Sequence, residues 1–335
     1  MWNEAPPAVS VVLPVFNDEA FVASAVLSVL AQTYTDFELI IVDDGCTDRS
    51  MDICATFDDP RIVIVHEAHR GLAGARNTGI LHARGSYVAL LDSSDMWAPE
   101  KLEVHVAHLE SDENLGASTS AIMLIDTEGR PTGVVQRPKA GAITARDVFC
   151  GRVVLSASAP VFRWEMLIES ALPEDASGRH RVFDERLRRS EDTECWTRLA
   201  VTSRFRFETI DRPLTRFRVI PGGVSADIIR QVDGWDTAAE LISHIAPDFV
   251  AECGAEARAS KLSQLARRCV QMRDRGFGLR LVCEAISHCP GLLWSEPART
   301  AATLLACLAM RLLPRRKFAR LPPVGRPALA GGLAP

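Results

Sequence analysis

Four short apolar runs, separated by stretches with helical spacing, occupy the first 110 residues and leave few folds open. Val9 to Val15, Phe37 to Val42, Arg61 to His66 and Tyr87 to Leu91 are mostly apolar from end to end, which suits strands buried on both faces. Between the first two, Glu19 to Gln32 sets Phe21, Val22, Ala25, Val26, Val29 and Leu30 on one stripe, the signature of an amphipathic helix. Thr47 to Phe57, Leu72 to Ala83 and Pro99 to Leu109 also read as helices, the last with Pro at its first turn. Alternation at this tempo predicts an α/β fold: a mostly parallel central sheet flanked by helices. In such sheets the ligand lies outside the carboxyl ends of the strands. Phe16-Asn17-Asp18-Glu19, Asp43-Asp44-Gly45 and Asp92-Ser93-Ser94-Asp95 all fall at such ends, so three polar clusters are expected to converge on one crevice.

From Gly116 to Pro221 the pattern is less regular and predicts a mixed sheet. Ser190 to Ala200 reads as an acidic helix start running into an amphipathic helix, and the chain beyond Asp227 as mostly helical. It closes with Ala301 to Leu313, the basic cluster Arg315-Arg316-Lys317 and a Pro/Gly tail from Pro322 that is expected to be disordered. At 335 residues and 47% hydrophobic the chain holds an ample core. A net charge of -5 argues against a general nucleic-acid binder, since phosphate backbones demand a basic surface. Nine cysteines without a Cys-x-x-Cys pair point to reduced thiols rather than a disulfide scaffold or zinc ribbon. Met1 to Ala8 lacks a basic segment followed by an apolar core, and no apolar run is long enough to span a bilayer. A cytoplasmic protein is expected.

Asp92 to Asp95 carries the most chemistry. Acidic side chains at the end of a buried strand are costly unless they hold something positive or hydrogen-bonding. They suit a divalent metal on a diphosphate, or the hydroxyls of a ribose. An ordinary Asp/Ser turn ahead of the helix near Pro99 is the competing reading. A dinucleotide oxidoreductase is disfavoured because no Gly-x-Gly-x-x-Gly follows the first strand. A nucleotidyltransferase lacks the basic, glycine-rich phosphate loop it would need there.

Five segments in order resemble the family 2 glycosyltransferases, enzymes of the GT-A fold that are usually inverting. Val11-Val12-Leu13-Pro14-Val15-Phe16-Asn17 is similar to that family's opening strand, and Val42-Asp43-Asp44-Gly45-Cys46-Thr47-Asp48 to its DDGSTD turn. Gly74-Ala75-Arg76-Asn77-Thr78-Gly79-Ile80 resembles its ARNxGI helix, and Leu91 to Leu102 its LDxDDxWxPxKL segment. Glu191-Asp192 resembles the later acidic pair. The resemblance implies a GT-A catalytic domain over 1–225, followed by a helical extension over 226–320 and the tail over 321–335. It implies a donor site of Pro14, Phe16, Glu19, Asp44, Arg76 and Asp92 for a nucleotide-diphospho-sugar. Phe16 would stack on the base, Asp44 accept a base N–H, and Arg76 pair with phosphate or base. Asp192 would be the general base, with Trp97, Glu191 and Arg218 on the acceptor side. Asp92, Ser94 and Asp95 would hold Mg2+ or Mn2+.

Two departures bear on the metal. Ser94 stands where relatives most often carry the metal-binding Asp, and a hydroxyl is a much weaker ligand for a hard cation. In Thr215 to Ser225, which resembles the segment after the catalytic domain, Ile220 stands where His is common, while Arg218 and Ser225 remain. Asp92 and Asp95 with shifted geometry, loose binding through the diphosphate, and phosphate charge met by Arg or Lys without metal all stay open. The expected activity is transfer of a sugar, UDP-linked by the lean of Asp44 and Phe16, to a saccharide or lipid-linked glycan. The alternative is a silent member of the fold that binds nucleotide or glycan, or scaffolds a partner. The apolar Ala301 to Leu313 with Arg311, Arg315, Arg316, Lys317 and Arg320 suits peripheral contact with an anionic membrane.

Overall fold

A computed structural model describes residues 5–138, 141–153, 156–173, 180–220, 228–272, 274, 276–295 and 297–312. The first part follows the alternation: β1 (Val9–Val15), α1 (Val22–Leu30), β2 (Phe37–Asp43), α2 (Ser50–Cys54), β3 (Ile62–His66), α3 (Leu72–His82) and β4 (Tyr87–Leu90). After β5 (Met96–Trp97) and α4 (Lys101–Glu110) comes the mixed part. It comprises β6 (Leu115–Ile125), β7 (Pro131–Gln136), β8 (Gly141–Ile143), α5 (Ala145–Phe149), β9 (Val161–Arg163), α6 (Trp164–Glu169), α7 (Glu191–Thr202) and β10 (Arg206–Arg218). Helices α8 (Ile228–Ile245), α9 (Pro247–Met272), α10 (Gly278–His288), α11 (Leu292–Ser295) and α12 (Pro297–Leu312) complete the described chain.

One sheet runs in the order β3-β2-β1-β4-β9-β6-β10-β5, with β7 against β6 and β8 against β10. The first four strands are parallel, and β9 enters antiparallel between β4 and β6. Period-two alternation sorts the side chains of each strand onto two faces. Val9, Val11, Leu13 and Val15 pack with Val22, Ala25, Val26 and Val29 of α1 and Leu102, Val106 and Leu109 of α4. Val12, Ile40, Val42, Val88 and Leu90 pack on the other face with Ala75 and Ile80 of α3 and Cys195, Trp196 and Leu199 of α7. Burial on both faces is why these strands are apolar throughout. Pro14 sits in β1 beyond Val12, the last residue paired with β4, so its missing N–H breaks no ladder there.

Three helices start later than the periodicity predicts, each for a local reason. α1 begins at Val22, because Phe21 and Val22 donate to the Asp18 carbonyl at 2.9 and 3.0 Å in a preceding turn. α2 begins at Ser50, because the Thr47 and Asp48 amides are taken by Asn17 Oδ1 at 2.7 and 3.3 Å. α4 begins at Lys101 rather than at Pro99, whose carbonyl accepts the Thr33 amide at 2.8 Å.

The described chain divides into two compact units between Pro247 and Asp248, so α8 stays with the sheet and packs on α7. In the second unit Val270, Ala306, Cys307 and Met310 bury together with Leu279 against them. No described helix is long and apolar enough to cross a membrane. The nine cysteines are free thiols. Arg315-Arg316-Lys317, Arg320, Ser225 and the tail from Pro322 lie outside the described residues.

Candidate active site

The polar clusters meet at the carboxyl ends of β1, β2 and β4, and side-chain bonds tie their loops together. Asn17, held at φ 52°, accepts the Thr47 amide and so joins the β1 loop to the β2 loop. Asp48 and Glu19 reinforce that joint: the Glu19 amide donates to Asp48 at 3.0 Å, and Glu19 accepts the Arg49 amide at 3.0 Å. Gly45, at φ 76°, lets the β2 loop turn under the His69 amide, which a Cβ would approach to 3.1 Å.

Asp44 is buried and spends its carboxylate on the β3–α3 loop. It accepts the Arg70 amide at 2.6 Å and the Gly71 amide at 3.0 Å, and pairs with His69 Nδ1 at 2.9 Å. The His69 ring in turn stacks on Phe16, centroids 4.1 Å apart. Phe16 is 44% exposed and belongs to the crevice rather than the core. His69 is a member of this corner that sequence reading missed, since a lone His after an irregular strand end carries no periodic signal.

Arg76 departs most from expectation. It is neither a surface residue nor open to a phosphate: it is 2% exposed and lies between two carboxylates. One terminal nitrogen donates to Asp92 Oδ1 at 2.7 Å, the other to Glu191 Oε1 at 3.1 Å, and the guanidinium sits 5.3 Å from the Phe183 ring. Burial alone would favour losing the proton, but the charges of Asp92 and Glu191 outweigh it and hold Arg76 more firmly protonated than usual. The bridge joins the acidic turn after β4 to the start of α7. Burial first, and the neighbouring Asp192 charge next, push the Glu191 carboxyl up despite Arg76. Asp192 accepts the Thr193 amide on Oδ1 at 2.7 Å, while Oδ2 has no protein partner among the described residues. Ser190, just before this pair, holds φ 62°. Asn17 and Ser190 are the two non-glycine residues with positive φ among those described, and strained backbone of this kind gathers at functional sites.

The remaining expectations change. Trp97 is 2% exposed and donates Nε1 to the Ser158 carbonyl at 2.9 Å, so it is core and offers no surface to a sugar. Arg218 is also buried: Nε donates to the Ser94 carbonyl at 2.7 Å and a terminal nitrogen to the Asp126 and Thr127 carbonyls at 3.1 and 2.9 Å. It braces the acidic turn, with donors spent on backbone carbonyls rather than left open to an acceptor. Ile220 is exposed just past β10.

As a metal site the turn fits poorly. Asp95 is 1% exposed, with Oδ1 accepting the Arg218 amide at 3.0 Å and Oδ2 the Ser158 hydroxyl at 2.7 Å. Burial, then the Asp92 charge, push the Asp95 carboxyl up to about 7. Ser93 gives its hydroxyl to Asp18. Within the turn, Asp92 alone presents a carboxylate oxygen, and its other oxygen is already on Arg76. Among the described residues no three His, Cys, Asp or Glu side chains gather as a ligand set.

Comparison with known proteins agrees with this architecture. The model for glycosyl transferase family 2 matches residues 10–170. An uncharacterized glycosyltransferase of Rickettsia conorii is 30% identical over 217 residues, 64% of this chain and 33% of that protein. The Escherichia coli UDP-Glc:alpha-D-GlcNAc-diphosphoundecaprenol beta-1,3-glucosyltransferase WfgD is 39% identical over 100 residues, 30% of this chain and 40% of that protein. The chain thus spans about a third of the length of the Rickettsia relative. Among solved structures, S. aureus TarS 1–349 in complex with UDP-GlcNAc superposes with a TM-score of 0.56 at 17% identity, covering 90% of this chain and 91% of that one. The mannosyltransferase PcManGT from Pyrobaculum calidifontis, in complex with GDP-Man and Mn2+, gives 0.56 at 20% identity over 93% and 90%. These likenesses establish the GT-A fold.

Proposed function

We propose that this protein is an inverting glycosyltransferase, as the match of residues 10–170 to the model for glycosyl transferase family 2 supports. It moves a sugar from a nucleotide-diphospho-sugar to a hydroxyl of a saccharide or lipid-linked glycan. The observation that supports the reading is the pairing of Asp92 and Glu191 through Arg76, beside an Asp192 whose Oδ2 has no protein partner among the described residues. Phe16 and the Asp44 loop receive the nucleoside, and the Asp92 turn lies next to the diphosphate. The donor carries uridine on this reading. TarS bound to UDP-GlcNAc and the UDP-glucose-dependent WfgD, whose acceptor is a diphosphoundecaprenol-linked sugar, support that choice and a cell-surface polysaccharide setting.

Asp192 takes the proton from the acceptor hydroxyl as that oxygen attacks the anomeric carbon opposite the leaving diphosphate. The C–O bond to the diphosphate breaks as the new glycosidic bond forms, and the configuration inverts. Glu191, held by Arg76, keeps the start of α7 in place and so orients its neighbour. A general base of this kind contributes about 10²–10⁴-fold, so Asp192→Asn is expected to lose that much turnover while folding and binding UDP normally. Near-parental turnover in a UDP-sugar transfer assay would remove Asp192 from the reaction. A second reading, nucleotide or glycan binding without transfer, draws on Ser94. It predicts UDP binding with no transfer or hydrolysis of the donor by the parent protein.

A further inference from the structure

The turn Asp92 to Asp95 offers oxygens to the crevice on very unequal terms. Asp95 offers none, because both its carboxylate oxygens are bonded inside the protein. Ser94 has its carbonyl on Arg218 and brings only a neutral hydroxyl. Asp92 brings one carboxylate oxygen, beside a guanidinium 2.7 Å from the other. Hard divalent ions want several oxygens, and on the protein side carboxylates first. A cation placed on Asp92 would instead lie next to a fixed positive charge. That charge stays put, since Arg76 is buried between two carboxylates and held protonated by them.

With Asp92 neutralised from within, the charge of a bound diphosphate has to be met by another group. The loop before α7 carries Arg186, Arg188 and Arg189 within four residues. Arg186 is committed to Asp184, with bonds of 2.9 and 2.6 Å. Arg188 is exposed and reaches across to the β3–α3 loop, where one terminal nitrogen donates to the Arg70 carbonyl at 2.9 Å. It lies over Gly71, where a Cβ would come within 2.2 Å of that nitrogen. So an exposed guanidinium with donors to spare joins the β3–α3 loop, which Asp44 holds, to the residues leading into Glu191-Asp192. A guanidinium matches two phosphate oxygens at once.

We propose that this site holds a nucleoside diphosphate without a divalent metal ion, with Arg76 offsetting Asp92 and Arg188 meeting the phosphates. The inference rests on the donor reading above and concerns how that donor's charge is balanced.

Titration calorimetry of the full chain with UDP, once in excess EDTA and once in millimolar Mn2+, tests it. The expected affinities agree within about threefold. Arg188→Ala is expected to weaken UDP about tenfold or more, as loss of a charged, bidentate contact does, and to leave uridine within about threefold. Ser94→Asp adds a carboxylate to the turn and is expected to make UDP binding metal-dependent by about tenfold. An increase of tenfold or more with Mn2+ in the parent protein would overturn the inference and leave the transferase reading standing. So would an Arg188→Ala variant that binds UDP as the parent does. Failure of the parent to bind UDP, GDP or dTDP under either condition would overturn the donor reading itself, and this inference with it.

Discussion

At the scale of single residues, buried charge does most of the organising. Arg76 spans Asp92 and Glu191, and removing one partner of a buried ionic set strands the others without water or a counter-charge. Arg76→Met is therefore expected to destabilise the protein by about 3–5 kcal/mol, measured by urea unfolding. Arg76→Lys keeps the charge but has no fork to reach both acids, and is expected to fall between the two. Stability equal to the parent in Arg76→Met would mean that the bridge is weak. A second buried set lies away from the crevice. Lys101 Nζ donates to the Ala159 carbonyl at 2.5 Å and lies 3.4 Å from His105 Nε2, while His105 Nδ1 meets the Ser118 hydroxyl at 2.7 Å. Burial first, then the charges of Lys101 and His108, hold His105 well below its usual range, so it is neutral when folded. Below about pH 6.5 the unfolded chain binds a proton there that the folded chain does not, so stability falls as pH drops through that value. His105→Gln removes this contribution. As pH falls below about 6.5 the variant is expected to lose stability less steeply than the parent, measured by urea unfolding. Parallel stability curves would show that His105 is already charged in the fold.

Elements are placed here by how closely they can approach the sheet. Helix α3 lies against β1 at Gly79, where a Cβ would stand 2.2 Å from Val12 Cγ1. That close seat carries Arg76, three residues earlier on the same helix, to the acidic turn. Gly79→Ala is expected to destabilise by about 1–3 kcal/mol, as overpacked cores do. It is also expected to weaken UDP binding, because relieving the clash displaces the helix that carries Arg76. A variant as stable as the parent would mean that the helix gives way freely. Helix α7 shows how local order gathers acids: its first turn holds Glu191, Asp192 and Glu194, favoured near a helix N-terminus. Glu194 is spent on Arg198 at 2.7 Å in the core, which leaves the first two for the crevice. Spacing alone announced the helix, but not which acid faces which side.

For the molecule as a whole, the open question is whether it works at a membrane. α12 carries Arg299 and Arg311 and no acidic residue. Leu305 and Leu312 on it are 66% and 77% exposed, and Trp294 on α11 is 83% exposed. A basic, apolar helix face suits the surface of an anionic bilayer, where the lipid-linked acceptor of the proposed function would lie. The full chain is expected to float with vesicles containing anionic lipid and to stay behind with neutral ones. Leu305→Asp is expected to reduce that binding severalfold, since it sets a charge in the apolar stripe. No flotation with anionic vesicles would remove membrane contact from the picture.

The strand–helix alternation, the two-faced burial of β1, β2 and β4 and the meeting of three polar clusters were all legible in the sequence. Hydrophobic periodicity is a local property, written within ten or so residues, and it dictates which faces must be covered. The resemblance likewise marked Asp92, Glu191 and Asp192 before any geometry was known. The partners of each charge were not legible. Arg76 reads the same on paper whether it faces a phosphate or two carboxylates, and Asp95 whether it binds a metal or the Arg218 amide and Ser158. Those pairings join residues as far apart as 115 and 123 positions. Tertiary packing decides them, because the free energy of a charge depends on burial and on neighbours that only the folded chain assembles.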